Sequence, residues 1–168
     1  KGKIRQRLLK IRAKKVIIAT GALERPMIFN NNDRPGIMLS SAVKKYADYY
    51  GVISGKKTVF FTNNDSAYES AISLNKKGIK VEAIIDIREE SNSKIVKETL
   101  DLGIKIYWSH TLVDTDGYKR LKEISIMELS KDNQSVVGTK KNITCDCLGI
   151  AGGWTPAVHL FTQSGGKL

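Results

Sequence analysis

Thr58-Val59-Phe60-Phe61 runs directly into Thr62-Asn63-Asn64-Asp65-Ser66-Ala67, and Tyr68 to Asn75 follows with helical spacing. The first run has the β-branched and aromatic composition of a buried strand. Asp65 and Ser66 are both residue types that cap a helix N-terminus, and Gly78 is a natural stop. A helix is therefore expected from Ser66 to Lys77. Val81 to Ile85 is a second short apolar run. Strand, helix and strand thus follow at the spacing of a right-handed, parallel βαβ unit.

A strand, a tight turn and a helix N-terminus are what a Rossmann unit uses to hold a dinucleotide pyrophosphate. The frame fits G-x-G-x-x-[GA], with Thr62 and Asn64 in the first two glycine places and Ala67 in the last. Asp86 ends the second strand 19 residues after Ala67. That is about where such a domain keeps the acid that holds an adenosine ribose. The motif uses glycine because a Cβ obstructs the turn and the close backbone approach to phosphate. Thr62 and Asn64 both carry one, and the charge of Asp65 repels phosphate. The expectation is a structural turn capped by Asp65 or Ser66, with Thr62, Asn64 and Asp86 left as a degenerate dinucleotide site. Asp86 then reads as a solvated strand end.

The chain's 168 residues are enough for a real core, and its net charge is +11. The N-terminal basic cluster (Lys1, Lys3, Arg5, Arg7, Lys10, Arg12, Lys14, Lys15) lies on strand-like sequence, with no aromatic platform and no nucleic-acid motif. A lysine-biased surface on an enzyme domain is the reading, with no nucleic-acid partner. No apolar run approaches the roughly 18 to 20 residues of a membrane span. Cys145 and Cys147 would share one face of a strand. No third cysteine joins them, and His110 and His159 are distant in sequence, so they read as buried thiols of a cytoplasmic protein with no metal site.

Upstream, Ile4 to Ile11 and Val16-Ile17-Ile18-Ala19 read as an edge hairpin feeding a buried central strand. Thr20-Gly21-Ala22 follows at the C-terminal end of that strand, where open α/β sheets place their ligands. Leu23 to Gly36, with Pro26, Pro35 and the Asn30–Asp33 run, reads as irregular linker. Ser40 or Ser41 opens a helix through Val43, Tyr46, Ala47 and Tyr50 that Gly51 stops. Downstream, a helix from Ser93 to Asp101 and a strand from Ile104 to Trp108 precede a period-two meander (Thr111 to Asp114, Leu121 to Leu129, Ser135 to Val137). Ile143 to Ile150 reads as one apolar strand, and Gly152-Gly153-Trp154-Thr155-Pro156 as its exit. Trp154 suits a core position and an interface equally. A helix from Ala157 to Phe161, capped by Thr155, closes the pattern. The fold class is α/β: a Rossmann-like FAD/NAD(P)-binding domain with a βαβ parallel sheet plus an antiparallel β-meander. The domain division is 1–36 for the end of a first dinucleotide-binding domain, 37–150 for an inserted second one, and 151–168 for the return.

This order, with Ala19-Thr20-Gly21-Ala22 before the inserted unit and Leu148 to Pro156 after it, resembles the two-dinucleotide-domain flavoproteins of the thioredoxin reductase type. Within that family it is similar to the alpha subunits of heterotetrameric sarcosine oxidases. The similarity is carried by Arg12-Ala13-Lys14, Ala19 to Ala22 with Glu24-Arg25-Pro26, Asn32-Asp33-Arg34-Pro35-Gly36, Phe61 to Tyr68 and Gly152 to Pro156 with Val158-His159-Leu160. Opine-oxidase and cyanide-forming oxidase subunits share the ATGA-x-E-R-P part.

The resemblance implies a complex that oxidatively demethylates sarcosine. In it the alpha subunit carries noncovalent NAD, and a partner subunit holds FAD and covalent FMN. It further implies that this chain is a cofactor-domain fragment with no catalytic residues. Thr20, Gly21 and Ala22 would lie near the NAD, and the other oxidase subunits would be its partners. Two other classes stay open. A free-standing pyridine-nucleotide-disulfide oxidoreductase-like domain is opposed by the missing C-x-x-C and the missing glycines. A basic nucleic-acid or scaffold module would need a phosphate-contacting surface.

Overall fold

The computed structural model describes residues 5–167. The chain divides into two compact units. The larger is Glu24–Thr155, and the smaller combines the residues up to Leu23 with those from Pro156 onward. Two short strands, β1 (Ala22–Glu24) and β10 (Trp154–Pro156), mark the two places where the chain passes between them.

The larger unit is built on a parallel sheet of β2 (Ile37–Leu39), β3 (Thr58–Thr62), β4 (Val81–Asp86), β5 (Lys105–Tyr107) and β9 (Cys147–Ala151). Its spatial order is β2-β9-β3-β4-β5. The central strand β3 pairs Phe60 with Gly149 on one side and with Ile84 on the other. Every residue of β3 and of β9 is buried, which is why both read as continuous apolar runs rather than as alternation. Helices α1 (Ser40–Tyr50), α2 (Ser66–Lys76) and α3 (Lys94–Asp101) supply the connections. Gly51 ends α1 in the left-handed region, at φ 64°.

Strand alternation sorts the core into two clusters. Phe60 and Ile84 pack with Val43, Tyr68, Leu74 and Val96 of the helices and with Ile104, just before β5. Val59, Phe61 and Ile85 pack instead with Leu112, Leu121, Ile124 and Ile126. Those last residues belong to the antiparallel meander of β6 (His110–Asp116), β7 (Glu123–Leu129) and β8 (Val136–Thr144) and to the turn before β7. The expected fold class is the one observed: a Rossmann-like α/β unit with a five-stranded parallel sheet and a three-stranded meander.

Several local expectations are corrected. Val16 to Ala19 form no strand, and Leu8, Leu9, Ile11, Val16 and Ile17 are each at least 73% exposed. A buried strand needs ladder partners for its backbone, and among the described residues no strand pairs with these. The earliest part of that expected hairpin, to Ile4, lies outside the described residues, as do Lys1 and Lys3 of the basic cluster. Ile37–Leu39, between the linker and α1 and without an expected element, form a strand parallel to β9. The expected strand over Ile143 to Ile150 is two elements, because β8 ends at Thr144 and β9 starts at Cys147, with Asp146 between them. Cys145 and Cys147 consequently enter opposite core clusters rather than one face. The last helix, α4 (His159–Gln163), starts two residues later than expected. Among the described residues no helix is long and apolar enough to cross a membrane.

Candidate functional site

The turn from β3 into α2 lies at the C-terminal edge of the sheet, beside the ends of β9 and β4. Its polar groups are occupied within the chain. The Thr62 hydroxyl donates to Asn64 O at 2.8 Å and accepts the Asn64 N–H at 3.0 Å. The Asn63 N–H reaches Ala151 O at 3.3 Å, and Asn64 Nδ2 reaches the same carbonyl at 3.1 Å. Asn63 Nδ2 donates to Gly152 O at 3.2 Å. The turn is therefore stapled to the exit of β9.

The helix cap differs from the expectation. Asp65 occupies the N-cap position but makes no side-chain cap bond. Asn64 does that work, its Oδ1 accepting the Ser66 N–H at 3.0 Å and the Ser66 hydroxyl at 2.6 Å. A short polar side chain in the second glycine place has turned inward onto the first amide of the helix. The amides of Asn63, Asn64 and Ser66, groups that a phosphate would need, already have internal acceptors.

Asp86 is not a solvated strand end: its side chain is fully buried. Oδ2 accepts the Tyr68 hydroxyl at 2.7 Å and Arg88 Nη2 at 2.8 Å. Oδ1 accepts the Arg88 backbone N–H at 2.9 Å and Nε at 3.1 Å. Arg88 Nη2 also donates to Asp65 Oδ1 at 2.8 Å. The carboxylate sited where a ribose acid would stand is thus closed by an arginine on one side and a phenol on the other. Burial first, and the Asp86 hydrogen bond second, push the Tyr68 phenol well above its ordinary range. The Asp86 hydrogen bond does most to hold Arg88 in its charged form. Tyr68 stacks on Trp108 with ring centroids 6.1 Å apart. The residues present do not fit a pyrophosphate and ribose at this turn.

The other predicted site residues, Thr20, Gly21 and Ala22, belong to the smaller unit. In the smaller unit, Thr20 Oγ1 donates to Ala157 O, and Gly21 O accepts the Ala157 N–H at 2.9 Å. Gly21 sits at φ +69° with no atom near where a Cβ would project, so glycine here serves the backbone conformation. Thr20, Gly21 and Ala22 are exposed.

Gly152, in the larger unit, is glycine for a different reason. A Cβ there would stand 2.7 Å from Arg25 O and 2.9 Å from Met27 Cγ. The two segments exchange hydrogen bonds, Gly152 N–H to Arg25 O at 2.8 Å and Arg25 N–H to Gly153 O at 2.9 Å. Arg88 and Tyr68 are the residues that sequence reasoning missed. The one available signal was an arginine two residues past an acid at a strand end. Among the described residues, no group of three or more His, Cys, Asp and Glu side chains is placed to hold a metal ion.

The profile of the pyridine nucleotide-disulphide oxidoreductase family matches residues 3–167. The chain is 41% identical to sarcosine oxidase subunit alpha of Corynebacterium sp. (strain P-1), over 99% of this chain and 17% of that protein. It is 34% identical to sarcosine oxidase subunit alpha of Rhizobium meliloti (strain 1021), over 96% of this chain and 15% of that protein. It therefore spans about a sixth of the length of these curated relatives. The crystal structure of T. acidophilum thioredoxin reductase superposes with a TM-score of 0.63 at 19% identity, covering 89% of this chain and 47% of the reductase. That likeness is one of fold. The chain belongs to the pyridine nucleotide-disulphide oxidoreductase family.

Proposed function

We propose that this member of the pyridine nucleotide-disulphide oxidoreductase family is a non-catalytic cofactor-domain part of the alpha subunit of a sarcosine oxidase complex. The similarity to two such subunits along nearly the whole chain supports the assignment. Residues 1–36 and 151–168 then belong to a first dinucleotide-binding domain, and 37–150 to a second one inserted into it. NAD is held by the first domain, with Thr20, Gly21 and Ala22 near it and most of the site contributed by residues outside this chain. FAD and FMN, with the amine oxidation, belong to a partner subunit. The assembly is a cytoplasmic hetero-oligomer that binds neither nucleic acid nor membrane.

The inserted domain keeps the Rossmann frame for its packing and has given up nucleotide binding. The observation that carries this is the closed network of Thr62, Asn64, Asp65, Tyr68, Asp86 and Arg88 where a dinucleotide would sit. Binding there would have to break a buried ion pair and the cap of α2 together. Isothermal titration calorimetry of the 168-residue chain with NADH and NADPH tests it. No saturable heat is expected, and a micromolar Kd for either nucleotide would refute the reading.

A further inference from the structure

Parallel strands all start at one edge of their sheet, and here lysines mark the starts. Lys57 precedes β3, Lys80 precedes β4 and Lys105 opens β5. Lys57 and Lys80 are neighbours, because Thr58 pairs with Val81 and the Thr58 N–H reaches Lys80 O at 3.1 Å. Two open clefts lie along this edge. One, of about 330 Å³, is bordered by Lys57, Lys80, Glu82, Tyr107, Asn142 and Thr144. The other, of about 550 Å³, is bordered by Lys56, Lys57, Arg120, Lys122, Thr144 and Asp146. They share Lys57 and Thr144, and so adjoin as one trough between the parallel sheet and the meander.

The carboxylates of the trough are already matched. Glu82 Oε1 lies 2.8 Å from Lys80 Nζ, and Asp146 Oδ2 lies 3.3 Å from Arg120 Nη2. Asp146 also accepts the backbone N–H groups of Lys57 and Lys56 at 2.8 and 3.1 Å, which fixes the segment that carries both lysines. Among the described residues, no carboxylate stands within ion-pair distance of Lys56, Lys57 or Lys122, and all three are exposed. Lys105 and Lys141, equally unmatched, stand 4.4 and 5.8 Å from the centre of the Tyr107 ring. Ammonium groups gathered in this way repel one another unless an anion lies among them.

We propose that this trough docks an extended acidic segment of a partner protein, its carboxylates facing Lys56, Lys57 and Lys122. Lysine is a compact point charge, suited to single carboxylate oxygens. Two adjoining clefts give room for a stretch of chain rather than for one small anion. Nucleic acid is the poorer fit, because Tyr107, the ring at hand to stack a base, is partly buried and overlaid by Lys105. The dinucleotide-type turn lies at the opposite edge of the sheet, and the proposal does not depend on the oxidase assignment.

Fluorescence anisotropy of labelled octaglutamate, titrated with the 168-residue chain at about 20 mM salt, tests it. Saturable binding is expected, weakened at least about tenfold by raising the salt to about 0.3 M. K57A/K122A should weaken it at least about fivefold. K44A/K45A removes the same charge from α1, on the helical side of the sheet, and should change it less than about twofold. Amide shifts of the unaltered ¹⁵N-labelled chain should centre on Lys56, Lys57, Lys122 and Thr144. Binding that does not saturate, equal losses in the two double variants, or shifts centred on α1 would overturn the proposal. Duplex DNA, drawn only by general charge, should lose equally in both variants. A loss confined to K57A/K122A for DNA, and absent for the peptide, would assign the trough to nucleic acid and overturn it too. If K57A/K122A does not fold, the shift map of the unaltered chain decides the matter.

Discussion

Arg88 grips the buried carboxylate of Asp86 with its backbone N–H at 2.9 Å, its Nε at 3.1 Å and its Nη2 at 2.8 Å. Truncating the arginine to alanine would leave a fully buried carboxylate held only by the backbone N–H of residue 88 and the Tyr68 hydroxyl. Breaking a buried pair from one side costs about 3–5 kcal/mol. The Arg88 side chain is 35% exposed, so water will partly replace it. R88A is expected to destabilise the chain by about 2–3 kcal/mol, just below that range because the pair is partly exposed. Urea unfolding measures it, with an unchanged slope as the sign that only stability moved. A loss below about 0.5 kcal/mol would mean the pair is no better than a surface salt bridge.

This pair also marks where sequence reasoning stops. The βαβ order around Thr62 was legible because strand runs, cap residues and Gly78 all agreed. The meander was legible from its period of two. The burial of Asp86 was not, since its phenolic partner is 18 residues away and only the folded α2 brings it over the strand end. The Asn64 cap was missed because two equally good capping types, Asp65 and Ser66, follow it. Val16 to Ala19 failed in the opposite direction: the run has strand composition, but composition cannot supply the neighbouring strand that would bury it. The single strand assumed across Cys145 and Cys147 failed because Asp146 takes the amides of Lys56 and Lys57 and bends the chain.

The two cysteines give a prediction for alkaline pH. Burial, then the neighbouring Cys147 thiolate, pushes Cys145 up to about 12. Burial pushes Cys147 up to about 11. The ordinary value is 9.0. Above it the unfolded chain releases protons that the fold retains, so the stability held by these thiols is full below pH 9 and declines toward pH 11 to 12. Lysines and tyrosines titrate there too, so the comparison with C145A/C147A isolates the effect. The double variant is less stable at neutral pH through lost packing, but its alkaline decline should be shallower. Parallel curves of urea midpoint against pH would contradict this.

Gly149 supplies a packing test. It lies in β9 opposite Phe60, and a Cβ there would stand 2.5 Å from two ring carbons of that buried side chain. The same Cβ would stand 3.5 Å from Ser40 Cα, an ordinary contact, so the clash is with the ring. G149A is expected to cost about 1–3 kcal/mol through overpacking. G149A/F60L, which removes the ring edge, should be closer to wild type than G149A alone. Thermal unfolding of G149A, F60L and G149A/F60L measures the coupling. Additive losses would show that the alanine and the ring do not meet.

Asp146 tests the acid side. Burial alone would raise its carboxyl, but the amides of Lys57 and Lys56, at 2.8 and 3.1 Å, outweigh that and hold it below the ordinary 3.8. A depressed carboxylate contributes stability that is full above the ordinary value and is lost as pH falls through its lower folded value. D146N keeps the size and one acceptor but removes the charge and the Arg120 contact at 3.3 Å. Hydrogen bonds to a charged group are worth about 1.5–3 kcal/mol. D146N should therefore lose about 1–2 kcal/mol at pH 7, the lower figure reflecting the bond its amide oxygen can still accept. At pH values well under 3.8 the wild-type carboxyl is itself neutral, and the two chains should converge. The same bend separates Cys145 from Cys147, so D146N should also raise the reactivity of Cys145 toward a thiol reagent at neutral pH, in step with the stability loss. A variant that loses no stability at pH 7, or whose deficit persists unchanged into acid, would show that the bend is held by the chain on either side of Asp146 rather than by its charge.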